Sequence, residues 1–151
     1  SDVYKRQIYI WLNIGVIPFW LVLIVFPQSN ICKYIVSSIF PILVFSAIYT
    51  YLIVLFFKSG YNFIDNFDLY KGLANLNELM SDNSFLITFW IHFLAINLFC
   101  GSWIVRYCQK FQISKYLAFI PLLLTYFVGP LGIFLYWLIR IFFAKRISLF
   151  D

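Results

Sequence analysis

Four stretches of about twenty apolar residues govern what this chain can fold into: Ile8 to Phe26, Tyr34 to Phe57, Phe85 to Val105, and Tyr116 to about Leu138. A helix rises about 1.5 Å per residue, so roughly 20 residues carry it across a hydrocarbon core about 30 Å thick. Inside lipid each backbone N–H and C=O needs a partner within its own segment, which leaves the helix as the solution for runs of this length. The rest of the chain agrees, with 64% hydrophobic and only 11% charged residues, where soluble domains carry about 25% charge. The sequence therefore predicts an all-α polytopic membrane protein with four transmembrane helices.

The first seven residues, SDVYKRQ, read as a non-native leader of the kind a translated sequencing adapter leaves. Residues 8–143 then form a single four-helix transmembrane domain, and residues 144–151 a short tail. Spans two and three are separated by 27 residues, Lys58 to Ser84, which hold Asp65, Asp68, Lys71, Glu78 and Asp82. Leu69, Leu73, Leu76, Leu79 and Met80 recur there at helical spacing, predicting a short amphipathic helix on the membrane surface. Four crossings place the N-terminus, this loop and the tail on one side. That side carries five cations (Lys58, Lys71, Arg140, Lys145, Arg146) against four on the other (Lys33, Arg106, Lys110, Lys115), a balance that sets no orientation. Arg140 is expected to snorkel to the interface at the end of the last span. Pro18, Pro41, Pro121 and Pro130 fall inside spans, where each removes a backbone donor and kinks its helix, with Ser37 and Thr125 placed to help satisfy freed carbonyls.

A single histidine excludes much chemistry. Membrane oxygenases and desaturases ligate metals through histidine clusters, and bis-histidine haem needs two. The chain has one, His92, and it has no HExxH, P-loop, dinucleotide fingerprint or GxSxG. Cys32, Cys100 and Cys108 show no CxxC spacing and read as unpaired thiols. No acid stands within a span, and no internal repeat suggests a transporter. The basic residues sit scattered at span ends, so the bilayer is the partner and nucleic acid is not.

The remaining polar oddity is WIHFLAINLFCG, residues 90–101. At about 100° per residue, His92 and Asn97 lie about 140° apart round the third helix, so both can face into a surrounding bundle without sharing one stripe. Trp90 and Trp103 are placed as interfacial anchors. The residues themselves leave two readings open. His92 and Asn97 join helices by hydrogen bonds, each worth about 0.6 kcal/mol, or they contact a ligand.

Four segments resemble, in order, a known family: NIGVIPFWLVLIVFP (13–27), FPILVFSAIYTYL (40–52), WIHFLAINLFCGSWI (90–104) and YFVGPLGIFLYWLIR (126–140). They are similar to the plant abscisic-acid-deficient, neoxanthin-synthesis membrane proteins and their bacterial relatives, with the third-span Trp-x-His-x-Leu-Ala core and the fourth-span Gly-Pro-x-Gly signature. The resemblance implies a bacterial inner-membrane or plastid-type membrane protein linked to forming neoxanthin from violaxanthin. That isomerisation opens an epoxide and makes an allene, using an acid and a base but no metal or redox cofactor. It points to His92 as the catalytic proton handler, and to Trp90, Asn97 and Arg106 as substrate-binding residues. The chain departs from the pattern at Asn97, where the family carries Asp, and at Tyr107, where relatives have Asp after the arginine. An amide cannot take a proton as a carboxylate does, which favours binding a carotenoid or related isoprenoid over converting it. A homodimer would help surround a long polyene. A non-enzymatic scaffold or assembly factor and a small-solute transporter are the competing expectations.

Overall fold

A computed structural model of the chain describes residues 2–60, 62–145 and 147–149, of which 84% are helical and none lies in a strand. Ser1 of the expected leader and Arg146 of the tail lie outside the described residues. Six α-helices follow one another among the described residues: α1 (Asp2–Val25), α2 (Phe40–Lys58), α3 (Leu73–Met80), α4 (Asn83–Lys110), α5 (Lys115–Val128) and α6 (Pro130–Ala144). Three of them, α1, α2 and α4, are long and apolar enough to cross a membrane.

The axis of the fold is α4, against which α1, α2, α5 and α6 pack. Its 28 residues span about 42 Å, more than the hydrocarbon core. Asp82 starts it by accepting a hydrogen bond from the Ser84 N–H at 3.2 Å, satisfying one of the free donors of the first turn. The interior is apolar, with Val16 and Leu23 of α1, Leu52 of α2, Ile91 and Ile104 of α4, Leu122 of α5 and Tyr136 of α6 at 2% exposure or less. Between membrane helices such contacts act through close packing, since lipid is as apolar as leucine.

The second span begins later than hydropathy suggests. Residues Cys32–Val36 form one π-turn, and the chain then breaks at Ser37-Ser38-Ile39 before α2. The serines cause the break. Ser38 Oγ accepts from the Phe40 N–H at 3.1 Å, and such local bonds compete with helix continuation. Pro41 stands in the first turn of α2, where its missing N–H costs nothing. Ser102 of α4 donates to the Val36 carbonyl at 3.4 Å, supplying a partner at the interruption.

The expected fourth span, Tyr116 to Leu138, is divided. Gly129, at φ 47° and ψ −92°, ends α5, and Pro130 opens α6. The two helices then fold back on one another as a hairpin. A Cβ on Gly132 of α6 would collide with the Thr125 hydroxyl and the Pro121 carbonyl of α5. Contacts with α4 fix the direction. Lys115, at the start of α5, lies beside the end of α1, its Nζ 3.4 Å from the Val25 carbonyl. Gly129 meets Asn97, midway along α4. Tyr136 then packs edge-on against Trp103 at 5.3 Å, and Arg140 reaches Tyr107 and Phe111. Thus α5 descends along α4 and α6 returns, each about 21–23 Å long and neither a full crossing. Of the four prolines expected to kink spans, Pro18 and Pro121 lie within helices, whereas Pro41 and Pro130 begin them.

In the long loop, Phe63–Tyr70 is a 3-10 helix and Leu73–Met80 is α3. Leu76, Leu79 and Met80 are half-buried while Leu73 stays 81% exposed. Lys71 and Asp68 pair at 3.0 Å, on the surface where such pairs contribute little.

Candidate functional site

All four residues singled out in the sequence lie on α4, yet the fold sends them to different neighbours. Trp90 is half-buried against α1. Its Nε1 donates to Asn13 Oδ1 at 2.8 Å, and its ring lies between Tyr9 and Phe93, with centroids 5.6 and 5.1 Å away. Asn97 is buried and faces the α5–α6 turn. A Cβ on Gly129 would lie 2.7 Å from Asn97 Oδ1, while Asn97 Nδ2 is buried with no hydrogen-bond partner. A carboxylate at this position would sit against the N-terminal end of α6, whose partial positive charge favours an anion. The amide brings no charge there.

His92 points away from the bundle. It is exposed, stacks on Phe89 with centroids 6.4 Å apart and planes 11° apart, and takes part in no hydrogen bond among the described residues. The reading in which His92 joins helices therefore finds no support: the side chain is exposed, while buried Asn97 lies about 140° away round the helix. His92 borders a groove of about 330 Å3 between α2 and α4, together with Tyr49, Phe56, Tyr70, Thr88 and Phe89. Thr88 spends its hydroxyl proton on the Ser84 carbonyl at 2.9 Å, leaving its oxygen free to accept.

Arg106 lies 14 residues further along, about 21 Å from His92 and on nearly the same face. It is exposed and borders two cavities, of about 700 and 460 Å3. Geometry thus separates a histidine end and an arginine end of α4, and brings neither Trp90 nor Asn97 to either groove.

Arg140 escaped the sequence reading. Far from snorkelling, it is completely buried, with its guanidinium carbon 4.6 Å from the Trp137 ring, 4.7 Å from Phe111, 5.1 Å from Tyr107 and 5.8 Å from Trp103. Nη2 donates to the Ser148 carbonyl, whereas Nε and Nη1 are buried without a hydrogen-bond partner. The correction follows from the hairpin, which lays α6 alongside α4 and so puts the cation among aromatic faces. Tyr107 in the last turn of α4 and Phe111, which caps it, were a visible signal, but only for a reader who knew that α6 returns to them.

The family motifs meet one another in these contacts. Asn13 of the first motif bonds Trp90 of the third. Trp20 of the first covers Gly101 of the third, where an added Cβ would lie 2.5 Å from its indole. Asn97 of the third meets Gly129 of the fourth. Residues 7–136 match the family model described as ABA4-like, ABA DEFICIENT 4-like. The chain belongs to the ABA4-like family. No curated protein and no solved structure matches it. The three contacts give the ABA4-like motifs a physical meaning, as the seats through which α1, α4 and the hairpin lock together. The match stops at Tyr136, four residues before Arg140.

Proposed function

We propose that this ABA4-like protein binds an apolar isoprenoid of the carotenoid kind within the membrane, in the α2–α4 groove, with His92 meeting its polar end group. The observation that carries the reading is a histidine turned towards lipid without a hydrogen-bond partner, in a groove walled by Tyr49, Phe56 and Phe89. A polar group left unmatched in hydrocarbon is costly, and a ligand oxygen would remove that cost while the aromatic wall takes a polyene. Family membership supports the choice of ligand through its link to neoxanthin synthesis. The groove is open towards lipid, so a bound polyene keeps one flank against the bilayer or a second copy of the chain. Conversion of the ligand, as an isomerase would perform, calls for a base and an acid. In this reading His92 would handle the proton, and Tyr49 and Tyr70 line the same groove. Asn97 and Trp90 take no part in this reading.

Expression in carotenoid-producing cells followed by purification and pigment chromatography tests it. Wild-type protein should carry pigment, and His92→Leu should carry about three- to twenty-fold less, the equivalent of about 0.6–1.7 kcal/mol for one membrane hydrogen bond. A scaffold role is the second reading, favoured by the packing contacts among the motifs. Equal pigment on both proteins would remove His92 from the site, and none on either would overturn pigment binding and leave the scaffold reading.

A further inference from the structure

The cavity at the arginine end of α4 has a chemistry of its own. Its 700 Å3 lie within the range of ligand pockets, about 300–1,000 Å3, and its wall includes Lys33, Arg106, Lys115, Gln28, Gln109 and Ser37. Three cations line it, and among the described residues no carboxylate does. Asp2 and the loop acids Asp65, Asp68, Glu78 and Asp82 all belong to the opposite end of the spans. Among the described residues none of the three cations forms an ion pair. Lys33 lies over the Tyr34 ring at 5.4 Å, and Lys115 reaches only a carbonyl and the Tyr116 ring. The N-terminus of α5, capped by Ser114, opens onto the same cavity and adds its partial positive charge.

Arg106 and Ser37 also line the neighbouring 460 Å3 cavity, which is walled by Ile39, Pro41, Leu98, Phe99 and Trp103 between α2 and α4. A basic, hydrogen-bonding bowl at the membrane boundary therefore continues into an apolar groove within it, with Arg106 at the junction. A carboxylate head would leave most of the positive charge unmatched, whereas a phosphate or diphosphate carries enough charge and acceptors for all three cations.

We propose that this composite cavity binds a phosphate- or diphosphate-bearing amphiphile, its anionic head between Lys33, Arg106 and Lys115 and its apolar chain along Pro41, Leu98 and Phe99. The inference is independent of the His92 groove, about 21 Å away on α4, and stands whether or not a carotenoid binds there. The head can belong to a membrane phospholipid or to an isoprenoid diphosphate, and the test separates the two. Purified protein in phosphatidylcholine nanodiscs is titrated with farnesyl diphosphate, with farnesol, with inorganic diphosphate, and in parallel with phosphatidylglycerol, binding being read by native mass spectrometry and thermal shift. An anionic amphiphile should bind saturably, at least tenfold more tightly than farnesol or inorganic diphosphate. Tighter binding of farnesyl diphosphate identifies the isoprenoid source, and tighter binding of phosphatidylglycerol the lipid source. Arg106→Gln should weaken binding about tenfold, as loss of a charge-assisted hydrogen bond does, and Lys58→Gln at the other end of α2 should leave it unchanged. Binding that is absent, that is equal for inorganic diphosphate, or that Arg106→Gln does not alter would overturn the proposal.

Discussion

At the scale of single residues, the most demanding position is Gly129. Its φ of 47° with ψ of −92° suits a residue without a Cβ, and a Cβ placed there would also meet Asn97 Oδ1 at 2.7 Å. Two costs are therefore superposed, backbone strain and collision, and mutation can separate them. Gly129→Ala should lower stability by about 2 kcal/mol, within the range of about 1–3 for a strained backbone. Asn97→Ala, which removes an amide whose Nδ2 is buried without a partner, should change stability by less than about 1 kcal/mol. The double variant should recover at least about 0.5 kcal/mol of the loss, because residues in contact are not additive. Thermal unfolding in detergent, followed by tryptophan fluorescence, measures all three. Strict additivity would mean that the turn and the third-span asparagine do not touch.

At the scale of elements, Arg140 fastens the hairpin and the tail to α4, and magnitudes decide which of its contacts matter. Burying a cation costs several kcal/mol, set against one charge-assisted hydrogen bond and aromatic faces worth about 2 kcal/mol when desolvated. These nearly cancel. Arg140→Met, which keeps the stem's packing, should therefore shift stability by about 1 kcal/mol or less, while trypsin cleavage at exposed Lys145 should rise several-fold as the Ser148 contact is lost. A loss above about 3 kcal/mol would show that the ring contacts dominate. The same element marks the limit of what the sequence discloses. Spans one and three were legible because each is a long apolar run closed by a stop signal, Pro27 or Arg106, although α1 begins at Asp2 and α4 runs on to Lys110. The hairpin was not, because residues 116–138 are apolar on every side and hydropathy carries no record of direction. The signals of the break, Gly129-Pro130 and the Ser37-Ser38 pair before Pro41, are also consistent with a kinked but continuous helix. The site was half legible for the same reason. Its residue types stood out on one helix, but in a helix apolar all round nothing tells the lipid-facing His92 from the buried Asn97, and the basic cavity draws on three elements far apart in sequence.

At the scale of the whole molecule, the hairpin changes the charge balance across the membrane. If α5 and α6 enter and leave by one face, the tail moves to the end of the spans that holds the links after α1 and α4. That end then carries Lys33, Arg106, Lys110, Lys115, Arg140 and Lys145, against Lys5, Arg6, Lys58 and Lys71 at the other. The excess of basic residues predicts that the arginine end of α4 faces the cytoplasm. The cavity proposed to bind a phosphate head would then open to that compartment, and the α3 loop would lie outside. Reporters distinguish this arrangement from four crossings by parity alone. The loop follows two crossings in either case, whereas the tail follows three or four. Fluorescent-protein and alkaline-phosphatase reporters are placed at the chain end and, in separate proteins, within the exposed loop next to Gly72. Three crossings and a hairpin should give a fluorescent, phosphatase-negative tail and the opposite result for the loop. If tail and loop report the same side, the α5–α6 segment crosses the bilayer and the Arg140 cage does not form in the membrane.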